Sequence, residues 1–207
     1  MFCGFQVRPD THREGFGPSV QIDTLRRIPV NDPRDIVEEL RRQNIGKSVL
    51  FEDIPSFDVS IAGGGVVVAF QWTNQYEEVI HSVINDQDSP GGSHEYGFRT
   101  GLRGAVVDYL KRHRPVEVAP DDLLGSDVWE GLTAVIDVSL QHPQFGSKGQ
   151  LESRPLRSLL ESATRDRVGL WLETHPAEAE LIVMKTVTAM IFRQETKIAW
   201  DDSRKHP

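Results

Sequence analysis

The chain has 207 residues, of which 38% are hydrophobic and 26% charged, and its formal net charge is −8. That length suits one domain with a real core, or one domain plus a helical appendage, and the acidic balance argues against non-specific nucleic-acid binding. One cysteine, Cys3, leaves no internal disulfide and no cysteine-based zinc site, the N-terminal MFCGFQVRPDTHRE lacks a signal peptide's apolar run, and no stretch is apolar enough to span a bilayer; the expected compartment is the cytoplasm.

Residues 1–30 show scattered Gly and Pro and no clear period, which reads as an irregular arm with one short strand, Ser19 to Asp23. Asp32 followed by Pro33 is a helix start. Ile36, Val37 and Leu40 make its apolar stripe and Gly46 ends it. Lys47 to Glu52 reads as a strand. Phe57, Val59 and Ile61 alternate with polar residues, a run of glycines follows, and Val66 to Trp72 is almost continuously apolar. The two runs make a hairpin with a central second strand. Tyr76 to Ile84 is a further strand, continuing a meander.

The stretch DSPGGSHEYGFRTGLRGAVVDYL leads from two glycines into a helix of about Glu95 to Arg114. Phe98, Leu102, Ala105 and Tyr109 share one face, while Arg99, Arg103, Lys111 and Arg114 form a basic stripe on another. Ala119 to Glu130 reads as an acidic loop. The strand after Gly131 points Leu132, Ala134, Ile136, Val138 and Leu140 to a buried face, and Thr133, Val135, Asp137 and Ser139 to a more open one. Ser153 caps a helix with Pro155 in its first turn, running to about Trp171; a last helix runs from Pro176 to about Ala199. The order implies an α+β fold with helices on one sheet face.

Several motifs in this order carry a resemblance. GGSHEYGFRTGL, the later DVWEGLTAVIDVSLQHPQF and the upstream VVVAFQWTNQYEEVIHSVIND are similar to the transducer domain of the DNA gyrase B subunit and its topoisomerase IV counterpart, type IIA topoisomerases. The similarity covers about Asn31 to Arg193. It implies a ribosomal-protein-type, four-stranded sheet with helices on one face and a left-handed crossover, against the right-handed general rule. The implied organisation is an arm over 1–30, a transducer-like domain over 31–175, and an apolar helix with a polar tail over 176–207.

The departures from the family bear on function. The sequence has no nucleotide-lid motif and no Asp-x-Asp metal motif. The family's Gln-Thr-Lys loop, whose lysine meets the terminal phosphate of ATP, matches GSKGQLES here. Lys148 falls at the glutamine position and Gln150 at the lysine position. Gly104 stands where the family has a cavity-facing arginine, and Trp129 where it has the arginine before Glu-Gly-Leu. No cofactor or metal is therefore expected. A fragment of a longer topoisomerase is the less favoured reading, since the chain starts with Met, the sensing loop is altered and the tail ends in DDSRKHP.

Candidate site residues follow from both lines. His94 and Glu95 could form an acid–base pair, but the resemblance makes Gly91, Gly92 and His94 scaffold of the loop, with His94 hydrogen-bonded there. Asp137, on an open strand face, could act as a base or simply face solvent. The basic stripe could touch phosphate or be a solvated helix face. LIVMKTVTAMIF, Leu181 to Phe192, is apolar on nearly all sides, so the helix should be buried on two. Trp129, Met184, Met190 and Phe192 would then line a pocket or an interface.

Two functions fit. The first is a stand-alone transducer-like protein without ATPase or topoisomerase activity that binds a partner, as a homodimer and as a modulator or protector of gyrase. The second is a repurposed, cofactor-free cyclase or isomerase taking an apolar small molecule. A closed apolar cavity would favour the enzyme, and an exposed apolar patch the binding protein.

Overall fold

The structure is a computed structural model and describes residues 33–114 and 122–205. The arm, with its expected strand at Ser19 to Asp23 and the capping Asp32, lies outside the described residues.

Helix α1 (Pro33–Gln43) forms as its spacing predicts. Ile36 and Leu40, one turn apart, are buried against Val67, Ala69 and Val135, with Val37 packed beside them. Gly46, at φ 78°, lies in the left-handed region that turns the chain after the helix. The segment from Lys47 to Glu52 is not a strand. It makes one isolated bridge, Val49 to Thr73, and Leu50 N–H donates to the Trp72 carbonyl at 2.9 Å. β1 (Ser56–Ile61) pairs with β2 (Gly64–Trp72) only over Gly64–Ala69 and β5 (Leu132–Leu140) takes the whole of the other edge, so this segment meets β2 only at its end.

Strands β1 and β2 make the expected antiparallel hairpin. A Cβ at Gly64 would lie 1.8 Å from the Ser139 carbonyl oxygen, so the chain approaches its neighbour there only as glycine. Strand β3 (Val79–Ile84) turns through Asn85 and Asp86, both at positive φ, into the two-residue β4 (Gln87–Asp88). Strand β5 then pairs antiparallel with β2 and parallel with β3. The order β1-β2-β5-β3-β4 corrects two expectations. The sheet has five strands, not four, and it is no meander, because β5 inserts between β2 and β3.

Helix α2 (Ser93–His113) and helix α4 (Arg154–Thr174) pack together on one face of the sheet over Phe70, Trp72, Ile136 and Val138. Ser153 caps α4 by accepting from Leu156 N–H. The expected acidic loop contains a short helix, α3 (Gly125–Trp129). The helices are not confined to one face: α1 covers the other. Thr133, Asp137 and Ser139 are buried as well, so the second face of β5 is not open.

The two main helices approach at backbone distance. A Cβ at Gly97 would sit 2.5 Å from the Arg157 carbonyl oxygen, and one at Gly101 would sit 2.4 Å from that of Glu161. The Gly97-x-x-x-Gly101 spacing keeps both on the α4-facing side of α2.

Helix α5 (Pro176–Lys205) runs past the expected end. Ala179, Ile182, Val183, Thr186, Ala189 and Met190 are buried. Polar contacts hold this side: Arg114 with Glu180, Lys185 with the Gln75 carbonyl and Glu130, and Arg193 with Asp127. Within one chain α5 is buried on one side. Leu181, Met184, Ile191 and Phe192 stand exposed on the opposite side, where neither the sheet nor another described helix covers them.

Candidate functional site

The glycine loop meets the altered sensing loop through the backbone. Gly91 (φ 98°) and Gly92 (φ 140°) adopt angles that disfavour other residues. A Cβ on Gly92 would fall 2.4 Å from the Leu151 carbonyl oxygen. That oxygen accepts from Ser93 N–H at 2.8 Å and from Ser93 Oγ at 2.9 Å, and Leu151 N–H donates to the Gly91 carbonyl at 3.1 Å. Ser153 N–H donates to Ser93 Oγ at 2.7 Å, so the start of α4 is tied to the start of α2. Between them the loop closes on itself: Gly146 N–H to the Gln150 carbonyl at 2.9 Å and Gly149 N–H to the Gly146 carbonyl at 3.0 Å. Lys148 and Gln150 are both exposed.

The two loops flank an open cleft of about 400 Å³ that Gly91, Gly92, Glu95, Arg99, Gln150 and Arg157 help to line. Lys148 is not among its lining residues. The Arg157 guanidinium lies over the Tyr96 ring, 3.8 Å from its centroid.

His94 and Glu95 are not a pair. His94 points inward and is fully buried, and neither ring nitrogen has a hydrogen-bond partner among the described residues. Burial lowers its pKa to about 4; the nearby Glu95 carboxylate opposes that shift and Arg99 adds to it. The imidazole is neutral at physiological pH, and the expected loop-fixing hydrogen bond is absent; His94 acts by filling space. Glu95 points outward, accepting from Ser82 Oγ and from Arg99 Nη1, the latter at 2.9 Å. Arg99 Nε in turn donates to Glu78 Oε1 at 2.8 Å. Successive residues on a helix diverge by about 100°, which sends one side chain into the core and the other to the rim.

Asp137 is on the other side of the sheet. It shares the face of Val135, which α1 covers, whereas α2 packs on the face of Ile136. The fold therefore does not assemble His94, Glu95 and Asp137 into one centre. Among the described residues no group of three or more His, Cys, Asp or Glu could hold a metal ion, and no helix is long and apolar enough to cross a membrane.

The basic stripe is neither phosphate-binding in arrangement nor a solvated face. Arg99 is held by Glu78 and Glu95, Arg103 Nη2 donates to the Leu123 carbonyl at 2.7 Å, and Arg114 pairs with Glu180. Of the four, Lys111 is exposed and the three arginines are half-buried. Most of these partners come from distant elements, so no local signal in the sequence shows them.

The four apolar candidates divide. Trp129 packs against the core, its indole N–H buried without a partner among the described residues and its ring 5.9 Å from the Arg99 guanidinium. Met190 is buried under α5. Met184 and Phe192 are 58% and 70% exposed on the other side of that helix. The Gln-Trp pair of β2 is scaffold. Gln71 Nε2 donates to the Phe51 carbonyl at 2.7 Å and Gln71 Oε1 accepts from Asn44, while Trp72 Nε1 donates to the Val128 carbonyl at 2.9 Å.

A mixed five-stranded sheet with a parallel β3–β5 crossover, and a glycine loop sewn to the loop after β5, define an α+β domain of the kind found in type II topoisomerases. Residues 34–201 match the family model described as DNA gyrase B, and the chain belongs to that family. It is 33% identical over 179 residues to the DNA gyrase B protein of Micrococcus luteus, a match covering 82% of this chain and 25% of the relative. It is 35% identical over 176 residues to that of Haloferax lucentense, covering 83% and 27%. The chain thus spans about a quarter of the length of these relatives. The 43K ATPase domain of Thermus thermophilus gyrase B, solved with an aminocoumarin, superposes with a TM-score of 0.73 at 24% identity, over 80% of this chain and 45% of that one. The gyrase B protein of Myxococcus xanthus superposes with a TM-score of 0.63 at 21% identity, over 74% and 49%. At these identities the superpositions speak for the fold.

Proposed function

We propose that this chain is a transducer-like module of the gyrase B family, left-handed crossover included, that acts by binding and has no ATPase or topoisomerase activity of its own. It would work in the cytoplasm as a homodimer that modulates or protects gyrase. On this reading 31–175 form the transducer-like unit and 176–207 the binding helix and tail. The observation that carries it is the exposed apolar side of α5, since a contiguous apolar surface on a soluble domain marks an interaction site. The sensing loop supports it: Lys148 is exposed at a displaced position, and Gln150 stands where the resemblance puts the lysine. The test is a supercoiling assay with purified gyrase and increasing amounts of this protein. A dose-dependent change at micromolar concentration is expected; no change at tens of micromolar overturns the modulator role.

One observation favours the small-molecule alternative. An apolar cleft of about 290 Å³ opens between β1 and α4, lined by Phe57, Phe70, Val168, Leu170 and Trp171 with Arg167 at its side. None of His94, Glu95, Asp137, Trp129, Met184, Met190 or Phe192 lines it, so it offers binding and orientation without those acid–base groups. Quenching of Trp171 by an apolar carboxylic acid, lost in Arg167→Ala, would support this reading.

A further inference from the structure

We propose that α5 pairs antiparallel with α5 of a second copy of this chain, along the seam Leu181, Met184, Thr188, Ile191, Glu195 and Ile198. The proposal rests on the homodimer in the reading above and names its surface.

All six seam positions are exposed. Their spacing is three, four, three, four, three, the alternation of a two-helix seam rather than of a helix lying alone on a domain. At about 100° per residue they fall within an arc of roughly 120°, with Phe192 at its border. Ile182, Val183, Thr186 and Met190 are buried on the opposite side. The helix cannot roll to hide the seam, because Arg114–Glu180, Lys185–Glu130 and Arg193–Asp127 hold it from the inner side.

A second copy fits this surface for three reasons. Leu181, Met184, Ile191, Phe192 and Ile198 are 38%, 58%, 45%, 70% and 61% exposed. Two such faces together bury on the order of 1,000 Å², the lower bound of a specific interface. Residues Glu195 to Ala199 are exposed and form a tail of α5, the end of a helix that frays most readily. Antiparallel pairing lays that tail against the Leu181 end of the other α5. The seam is also self-complementary in this direction: Leu181 meets Ile198 of the second copy, Met184 meets Glu195, and Thr188 meets Ile191.

The single seam charge decides the direction. A parallel pair would set Glu195 against its own copy, two like charges in a partly desolvated seam. The antiparallel pair sets it against a methionine. Because the buried side of α5 is opposite the seam, the two globular bodies fall on the outer sides of the pair and do not compete for space.

The test combines mass and cross-linking. Light scattering should give twice the chain mass at micromolar concentration, and Met184→Asp, at an exposed position, should halve it with circular dichroism unchanged. In a Cys3→Ser background, Leu181→Cys mixed with Ile198→Cys should oxidise to a linked dimer, and neither variant should do so alone. A linked dimer from Leu181→Cys alone overturns the antiparallel arrangement. A dimer that survives Met184→Asp overturns the seam while leaving the homodimer standing. A monomer across the whole range overturns both.

Discussion

Arg193 and Asp127 form a two-pronged ion pair: Nε donates to Oδ1 and Nη2 to Oδ2, each at 2.8 Å. Asp127 is 3% exposed and also accepts from Leu124 N–H at 2.9 Å, so one carboxylate caps α3 and anchors α5. The hydrogen bonds to Asp127 raise the Arg193 pKa further above its ordinary value, so the guanidinium stays charged. Arg193→Leu should leave a buried carboxylate without its main partner and cost about 2–3 kcal/mol, read as a lower urea midpoint with an unchanged slope. Arg193→Lys should recover only part, since a single ammonium cannot serve both oxygens in the same plane.

The contact between α2 and α4 predicts opposite outcomes for the same substitution at two glycines. Gly101→Ala should lower the melting temperature by several degrees, because its Cβ would fall 2.4 Å from the Glu161 carbonyl oxygen and the helices would have to separate. Gly169→Ala, in α4 with nothing within 4 Å of the added carbon, should leave stability unchanged or raise it by up to about 1 kcal/mol. Thermal unfolding of the two variants side by side checks both.

His94 should make stability pH-dependent. Its pKa in the fold, about 4, lies below the ordinary 6.5. The unfolded chain therefore binds the proton first as pH falls. The contribution is fully present above about pH 6.5 and is lost as pH falls toward about 4, a total on the order of 3 kcal/mol. Urea unfolding at pH 7.5 and pH 5 should show this slope, and His94→Phe should flatten it. An equal slope in wild type and variant would place the titration elsewhere.

The altered loop predicts insensitivity to nucleotide. Its shape depends on backbone hydrogen bonds among Gly146, Gly149 and Gln150 and between Leu151 and Gly91, and Lys148 is exposed. Lys148→Ala should leave the melting temperature unchanged within about 1 °C. Magnesium-ATP should not raise the melting temperature of the wild type. A rise that disappears in Lys148→Ala would show a working phosphate contact and overturn the proposed lack of ATP sensing.

Much of the scaffold was legible in the chain alone. The stripe Ile36-Val37-Leu40, the alternation in Phe57-Val59-Ile61, the apolar run into Trp72 and the Ser153 cap are local signals, because helix and strand periods place neighbouring side chains on one face. The glycine loop and the strand after Gly131 were enough to point to the gyrase B family, since motif order and spacing are properties of sequence. Tertiary structure decided the rest. Whether Lys47 to Glu52 forms a strand depends on how much of β2 is left to pair with, and β1 and β5 leave only its end. Whether the Val135 face of β5 is open or buried depends on where α1 comes to rest across the sheet. His94 and Glu95 look like partners in sequence, but one helical step turns one into the core and the other toward Arg99. The last helix shows the division most directly. Its composition made it apolar all round, but which side would be covered was set by the pairs Arg114–Glu180, Lys185–Glu130 and Arg193–Asp127, whose members lie far apart in sequence and meet only when the chain is folded.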